Sequence, residues 1–381
     1  MSFIHSIKTN VPQYTVSQLE FYEAVAPRTP DRFHKIFKKI LDGSQIRKRH
    51  FSAPLEEMID LTESKRIADK FALWKEASME HYTSLGEQLL LESGLKGSEI
   101  DMICTCTTSG FVTPDPTVLL IDKLNLRRNI KRYPIFGYGC SGGAASINRV
   151  KEYLDGHPTE AALVFVGETL STQYENIDSV SVIVANSIFG DGFAGMLMVG
   201  KDHRLAEESQ VELYNGESHV FPDCNFAVGQ WMEDDGMHTH VDAKLPGILE
   251  QGLRGPTDKM FDSMNTSISD VDHWICHAGG PKVVNTFKEL MGLEDKDVAD
   301  TLETFRDYGN QSSVSVLTTL ERKLKKVEKE GLGYIMGLGP GIHLAYALCK
   351  VYPKKQEKID LTGFEKVATV KKGSNFIVDV L

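Results

Sequence analysis

The chain carries the same unit twice. Val271-Asp272-His273-Trp274-Ile275-Cys276-His277-Ala278-Gly279-Gly280 runs parallel to the ten residues from Ile100 to Ser109, with Asp272 over Asp101 and His277 over Cys106. Tyr308-Gly309-Asn310-Gln311-Ser312-Ser313-Val314-Ser315 then matches the eight residues from Tyr138 to Ala145, with Asn310 over Cys140. The separations agree, 34 residues from Cys106 to Cys140 (140 − 106) and 33 from His277 to Asn310 (310 − 277). Tyr334 to Gly341 matches the strand-like run that ends at Glu168, and Ile342 to Val351 matches Phe193 to Val199. Two copies of one unit restrict the chain to folds with an internal two-fold. If the copies face each other, they bring Cys140, His277 and Asn310 towards a common centre.

Each copy reads as apolar strand, tight turn and helix. Ala161 to Val166 is a run with no polar residue, the mark of a strand buried on both faces. Ile147, Val150, Tyr153 and Leu154 recur at helical spacing after Cys140, and Asp155-Gly156 closes that helix. Strands alternating with helices predict mostly parallel sheets covered by helices, here α/β in a layered α-β-α-β-α body. The expected halves are 1–200, carrying Cys140, and 201–381, carrying His277, Asn310 and a C-terminal tail. No Ser/Gly/Pro-rich linker separates them. In the tail, Val367–Val370 and Phe376–Val380 read as a strand pair.

Cys140 stands between glycines at the start of a helix. A helix N-terminus favours negative charge, so the expectation is a thiol with a lowered pKa. Cys104 and Cys106 alternate on a buried strand and read as packing residues. The six cysteines are scattered without a Cys-x-x-Cys pair, which fits free thiols and a cytoplasmic location rather than a disulfide framework or a zinc site. The N-terminus lacks the charged and apolar regions of a signal peptide, and no run reaches membrane-spanning length. A net charge of −11 argues against general nucleic-acid binding. Against that acidic background Lys35, Lys38, Lys39 and Arg47 form a local basic cluster suited to the phosphates of a CoA thioester.

A Cys nucleophile with a distant His and Asn has two uses. In papain-like hydrolysis His is a base oriented by Asn. In acyl transfer with carbon–carbon bond formation, His and Asn donate to a thioester carbonyl and stabilise an enolate. The motifs Thr107-Thr108-Ser109-Gly110, Gly139-Cys140-Ser141-Gly142-Gly143, Phe189-Gly190-Asp191-Gly192, His277-Ala278-Gly279-Gly280-Pro281-Lys282, Gly309-Asn310-Gln311-Ser312-Ser313 and Gly337-Leu338-Gly339-Pro340-Gly341 favour the second. Together, over about residues 1–351, the sequence resembles the type III (chalcone synthase-like) polyketide synthases of the thiolase superfamily. The resemblance implies Cys140 as acyl carrier, His277 and Asn310 as decarboxylation and oxyanion residues, and Phe189 as gatekeeper. It implies substrate contacts at Thr108, Ser109, Ser312, Gly339 and Pro340. It also implies a homodimer that uses acyl-CoA starters and malonyl-CoA, with no carrier protein or bound cofactor. The pair His238 and His240 has no carboxylate or Cys partner placed by spacing, so no metal is expected. The chain departs from the pattern in three places. Met237-His238-Thr239-His240 lacks a second gatekeeper Phe, Thr113 stands where plant enzymes place an interface Met, and Leu170 replaces a cavity threonine. Two other functions compete. One is a ketoacyl synthase III-like enzyme making one bond, with Arg127 to Arg132 as a basic patch for an acyl-carrier protein. The other is a noncatalytic partner that kept the fold.

Overall fold

A computed structural model describes residues 1–354, apart from positions 226, 235, 243 and 244. The expected strand pair at 367–370 and 376–380 lies outside the described residues. The described strands are β1 Ser2–Asn10, β2 Tyr14–Ser17, β3 Lys48–Phe51, β4 Met102–Thr107, β5 Lys131–Phe136, β6 Ala161–Glu168 and β7 Gly192–Gly200. They continue with β8 Val211–Val220, β9 Val228–Glu233, β10 Gly236–Val241, β11 Val271–Cys276, β12 Gly331–Gly339 and β13 His343–Val351.

Nine of these strands form one hydrogen-bonded order, β11-β12-β13-β8-β1-β7-β6-β4-β5. The order repeats about its middle: β1-β7-β6-β4 on one side answers β8-β13-β12-β11 on the other. Three residue pairs join the two series, Ser2–Leu213, Phe3–Glu212 and Ile4–Val211. The expectation of mostly parallel pairing needs correction. β4 runs parallel to β5 and β6, and β11 parallel to β12. The other five adjacent pairs are antiparallel. β4, β6, β7, β12 and β13 are buried on both faces and show no period, so their direction leaves no trace in the sequence. β1 also went unread, because a bulge between Ile4 and Ser6 breaks its alternation.

Two helices lie between the inner faces of the two series: α1, Gly142–Gly156, and α2, Ser315–Leu324. Their apolar sides (Ile147, Val150 and Leu154; Val316, Leu317 and Leu320) share one core with Cys104, Cys106, Val164, Met196, Ile335 and Ala347. The outer face of the first series (Ile103, Leu163, Phe165) packs under the helix Ile67–Ser93. The outer face of the second (Trp274, Tyr334, Tyr346) packs under helices Arg254–Ser263 and Pro281–Met291. The result is the expected five layers, helix, sheet, helix pair, sheet and helix.

A matched device starts each copy. The Asp101 carboxylate accepts from the Ala161 amide at 2.9 Å, and the Asp272 carboxylate from the Leu332 amide at 3.0 Å. Each aspartate, one residue before β4 or within β11, thereby fixes the beginning of the neighbouring strand. The central helices approach so closely at their starts that a Cβ on Gly143 would stand 2.2 Å from the Ser313 carbonyl oxygen. Only glycine permits that contact.

Candidate active site

Cys140 sits in a single 3-10 turn, Gly139–Ser141, that leads into α1. The matching turn Ser312–Val314 leads into α2. The Cys140 turn is held from three directions. The Gly139 amide donates to Thr108 Oγ1 at 2.9 Å. Gly139 has φ +48°, and a Cβ there would lie 2.3 Å from Pro340 Cδ. A Cβ on Gly339 would lie 2.4 Å from the Tyr138 carbonyl oxygen. Thr108, Gly339 and Pro340 thus brace the backbone of the turn that carries the thiol.

The Asn310 and Ser312 side chains stand near enough to the Cys140 thiol to pull its pKa down against burial. The Ser312 amide donates to Asn310 Oδ1 at 2.8 Å, which leaves Nδ2 to donate beside Cys140. The backbone of Asn310 bridges to Phe189: the Asn310 amide donates to the Ile188 carbonyl at 2.7 Å, and the Gly190 amide to the Asn310 carbonyl at 3.1 Å. Phe189 follows the helix Val180–Ile188 and is half-buried. Leu170 and Thr239 line a cavity that Phe189 also borders.

His277 follows β11. Its amide donates to the Met336 carbonyl at 2.8 Å. The next residue, Gly337, approaches the Cys140 carbonyl closely enough that a Cβ would stand 3.3 Å away. His277 therefore belongs to the same end of β12 as the nucleophile turn. The side chain is buried, and its Nδ1 has no hydrogen-bond partner.

Burial decides the charge state of both groups. It pushes the Cys140 thiol up to about 11, with the Glu168 carboxylate adding to the rise; hydrogen bonds from Ser312 and Asn310 oppose it. Burial likewise pushes the His277 imidazole down to about 4. The lowered thiol pKa expected from the helix start is thus not found in the resting site. A terminal dipole is worth about 0.3–2 kcal/mol, less than the desolvation this half-buried site imposes on the anion. Separately each ion is costly.

Sequence reading missed Glu168. It ends β6 fully buried, and its carboxylate accepts the Thr108 amide at 3.0 Å, the Ser109 amide at 2.9 Å and the Ser313 hydroxyl at 2.6 Å. Ser109 in turn accepts the Thr169 amide at 2.9 Å. Glu168 therefore ties the end of β4 to the start of α2. The available signal was a carboxylate closing an otherwise apolar run. His238 also gains a partner that spacing could not show, Glu175 Oε2 at 2.8 Å from Nδ1.

The basic cluster divides. Lys35, Lys38 and Lys39 line one surface groove with Tyr22 and His34, on the helix Asp31–Ser44. The buried side of that helix, Phe37 and Leu41, packs on Val182 and Ile183 of the helix leading to Phe189. Arg47 does not join them: it pairs with Glu303 at 3.0 Å and Asp307 at 2.5 Å. The proposed carrier-protein patch is neutralised in the same way. Arg127, Arg128, Lys131 and Arg132 pair with Asp101, Asp122, Glu160 and Asp115.

A thiol at a helix start, with an Asn donor from a repeated turn and a buried His, defines a thiolase-fold condensing enzyme. Residues 18–235 match the family model of FAE1/type III polyketide synthase-like proteins, and residues 212–353 match the C-terminal domain of chalcone and stilbene synthases. The chain belongs to the type III polyketide synthases, enzymes that transfer acyl groups in condensation reactions. It is 27% identical over 353 residues to 1,3,6,8-tetrahydroxynaphthalene synthase of Streptomyces peucetius subsp. caesius, covering 91% of this chain and 92% of that one. It is 28% identical over 346 residues to 3,5-dihydroxyphenylacetyl-CoA synthase of Amycolatopsis orientalis, covering 90% and 91%. The crystal structure of 1,3,6,8-tetrahydroxynaphthalene synthase from Streptomyces coelicolor A3(2) superposes with a TM-score of 0.85 at 24% identity, over 93% of this chain and 100% of that one. Among the described residues no helix is long and apolar enough to cross a membrane.

Proposed function

We propose that the chain builds a polyketide by decarboxylating malonyl-CoA and condensing the product onto an acyl group held on Cys140. The observation that carries this reading is the Asn310 amide, whose oxygen is clamped by the Ser312 amide so that its nitrogen is left to donate beside Cys140. In the first step the thiol proton passes to His277, and Sγ attacks the starter thioester. The bond between the acyl carbon and the CoA sulfur breaks, and CoA leaves as the thiol with the proton from His277. Malonyl-CoA then occupies the site. Its carboxylate leaves as carbon dioxide, and the bond pair moves into the thioester carbonyl as an enolate. His277 and Asn310 donate to that oxygen. The enolate carbon attacks the acyl carbonyl, the C–S bond breaks, and the Cys140 thiolate is regenerated.

Lys35, Lys38 and Lys39 hold CoA phosphates at the groove. Arg47 is left out of this role by its two acidic partners. The reaction uses no bound cofactor or metal, and the enzyme works in the cytoplasm. It acts as a homodimer through the open edge at β5, where Phe111 is 61% and Phe136 55% exposed and the two rings stand 6.1 Å apart. The chain divides functionally at 200/201 into a nucleophile half and a donor half.

Mass spectrometry of products from malonyl-CoA with a panel of acyl-CoA starters tests the reaction. Products longer by one or more two-carbon units are expected from the wild type and none from Cys140→Ala. In the same assay Lys35→Glu with Lys39→Glu is expected to raise KM for CoA thioesters and spare short pantetheine thioesters. Thioester hydrolysis without carbon–carbon bond formation would overturn the reading.

A further inference from the structure

The cavity behind Phe189 contains a cation that the condensation chemistry does not use. Arg49, on β3, is 1% exposed. Its Nη1 donates to the carbonyls of Asn186 at 2.6 Å and Phe189 at 2.9 Å. The guanidinium lies 4.3 Å from the ring centre of Phe21 and 5.3 Å from that of Phe51. Its Nε and Nη2 are buried with no hydrogen-bond partner. Asp191 offsets part of the charge across space. The Asp191 oxygens are already taken by the amides and hydroxyls of Ser52 and Ser171, so they leave the guanidinium hydrogens unmet.

A second donor in the same cavity is also unmet. Gln173 accepts from Gln230 through Oε1 at 2.6 Å, which leaves its buried Nε2 without a partner. The three orphan polar atoms of the cavity wall are therefore all N–H donors, and two of them carry positive charge. Buried unpaired donors are costly and uncommon in native proteins, and in low-dielectric surroundings an acceptor placed among them binds strongly. A fastening role for Arg49 accounts for Nη1 alone. The free space is about 20 Å³, above the ~10–15 Å³ that one water needs and suited to a small group. An acceptor-only group of that size with two oxygens, matching the guanidinium fork, is a carboxylate.

We infer that Arg49 and Gln173 form a subsite for a carboxylate, presented by the far end of an acyl group entering past Phe189. This rests on the reading of Cys140 as acyl carrier. Phe189 is common to both places, since it borders the cavity and its backbone pairs with Asn310. A starter ending in a carboxylate is then favoured over an apolar starter of equal length.

Equimolar succinyl-CoA and butyryl-CoA, followed by intact-protein mass spectrometry of the acyl group on Cys140, tests the inference. The wild type is expected to carry succinyl over butyryl by about 10- to 100-fold, the range for a hydrogen bond to a charged group. Arg49→Met should abolish the preference, but it also releases Asn186 and Phe189 and threatens folding. Gln173→Met keeps that tie and should cut the preference several-fold with an unchanged melting temperature and unchanged butyrylation. A wild-type preference for butyryl, or an unaltered ratio in Gln173→Met, overturns the subsite. Free succinate provides a readout independent of Cys140. If neither thioester labels the protein but succinate raises the melting temperature of the wild type and not of Gln173→Met, the acyl-carrier reading fails and the cavity stands as a site for a free carboxylate. If succinate also has no effect, both fall.

Discussion

The two copies of the unit share a frame and divide the chemistry. β4 and β11, β6 and β12, β7 and β13, and β1 and β8 hold equivalent places in the strand order. α1 and α2 both start from a single 3-10 turn. The copies differ in what precedes that turn. In the first, β5 comes between β4 and Cys140 and extends the sheet to an open edge. In the second, the helix Ala299–Tyr308 fills that interval, and β11 remains the last strand. The turns also differ in function: one places a nucleophile, the other a hydrogen-bond donor. A duplicated backbone thus provides two facing helix starts, and single substitutions at one offset assign their roles.

The largest expected effect comes from the donor side. Asn310→Ala should slow malonyl-CoA decarboxylation by about 10²–10³, the cost of removing one oxyanion donor, while acylation of Cys140 persists. Release of labelled carbon dioxide, set against acyl-enzyme by mass spectrometry, measures the split. Equal loss in both steps would erase the division of labour.

His277 comes next. Burial raises the thiol, so reactivity near pH 7 depends on the imidazole taking the proton. In His277→Ala, alkylation of Cys140 by iodoacetamide at pH 7 should fall by about 10- to 100-fold, one to two pKa units of lost pairing. The residual rate should climb about tenfold per pH unit above pH 7, because only the thiolate reacts. A variant that alkylates like the wild type at pH 7 would leave the helix start as the activating feature.

The asymmetric edge predicts assembly. β5 exposes Tyr133 and Phe136, with Phe111 packed between Phe71 and Phe136. An uncovered edge with aromatic side chains invites pairing. Where the wild type is expected to sediment as the proposed homodimer at micromolar concentration, Phe111→Glu with Phe136→Glu should sediment as a folded monomer. A dimer that persists would place the interface elsewhere.

The smallest effect tests the shared frame. Asp101→Ala removes a part-buried clamp that also pairs with Arg127 at 2.8 Å, whereas Asp272→Ala removes an exposed one. The expected losses, by urea unfolding, are about 1–2 kcal/mol for Asp101 and under about 1 kcal/mol for Asp272. Equal losses would make the two starts energetically equivalent despite their different exposure.

Sequence showed most where the two copies could be laid over one another. Cys140 and Asn310 occupy matching offsets, and the structure brings them together with Ser312 around the thiol. Strand direction was hidden because fully buried strands such as β6 and β7 lack alternation. Glu168 was hidden because its partners Thr108, Ser109 and Ser313 come from two distant segments. The error over Arg47 has the same origin. A run of cations shows its charge locally, while the acids that neutralise it, Glu303 and Asp307, lie more than 250 residues further along the chain (303 − 47 = 256). The thiol pKa depended on burial, a quantity no spacing encodes.

The seam at β1 has a consequence for the order of assembly on the ribosome. Ser2 pairs with Gly200 on one side and Leu213 on the other, partners 198 and 211 residues away (200 − 2, 213 − 2). At ~5–20 residues per second, roughly 10–40 s of translation separate the first strand from its first partner. Throughout that delay β1 is an unpaired strand carrying Phe3, Ile4 and Ile7, and such long-range closure is slow. Its bulge and Lys8 are features that discourage pairing with foreign strands. Once β7 arrives, the remaining edge of β1 is the nucleus on which β8 docks. A ribosome stalled just short of residue 211 would therefore carry a first half with that edge still open, and chaperone binding should be highest there and fall as β8 emerges.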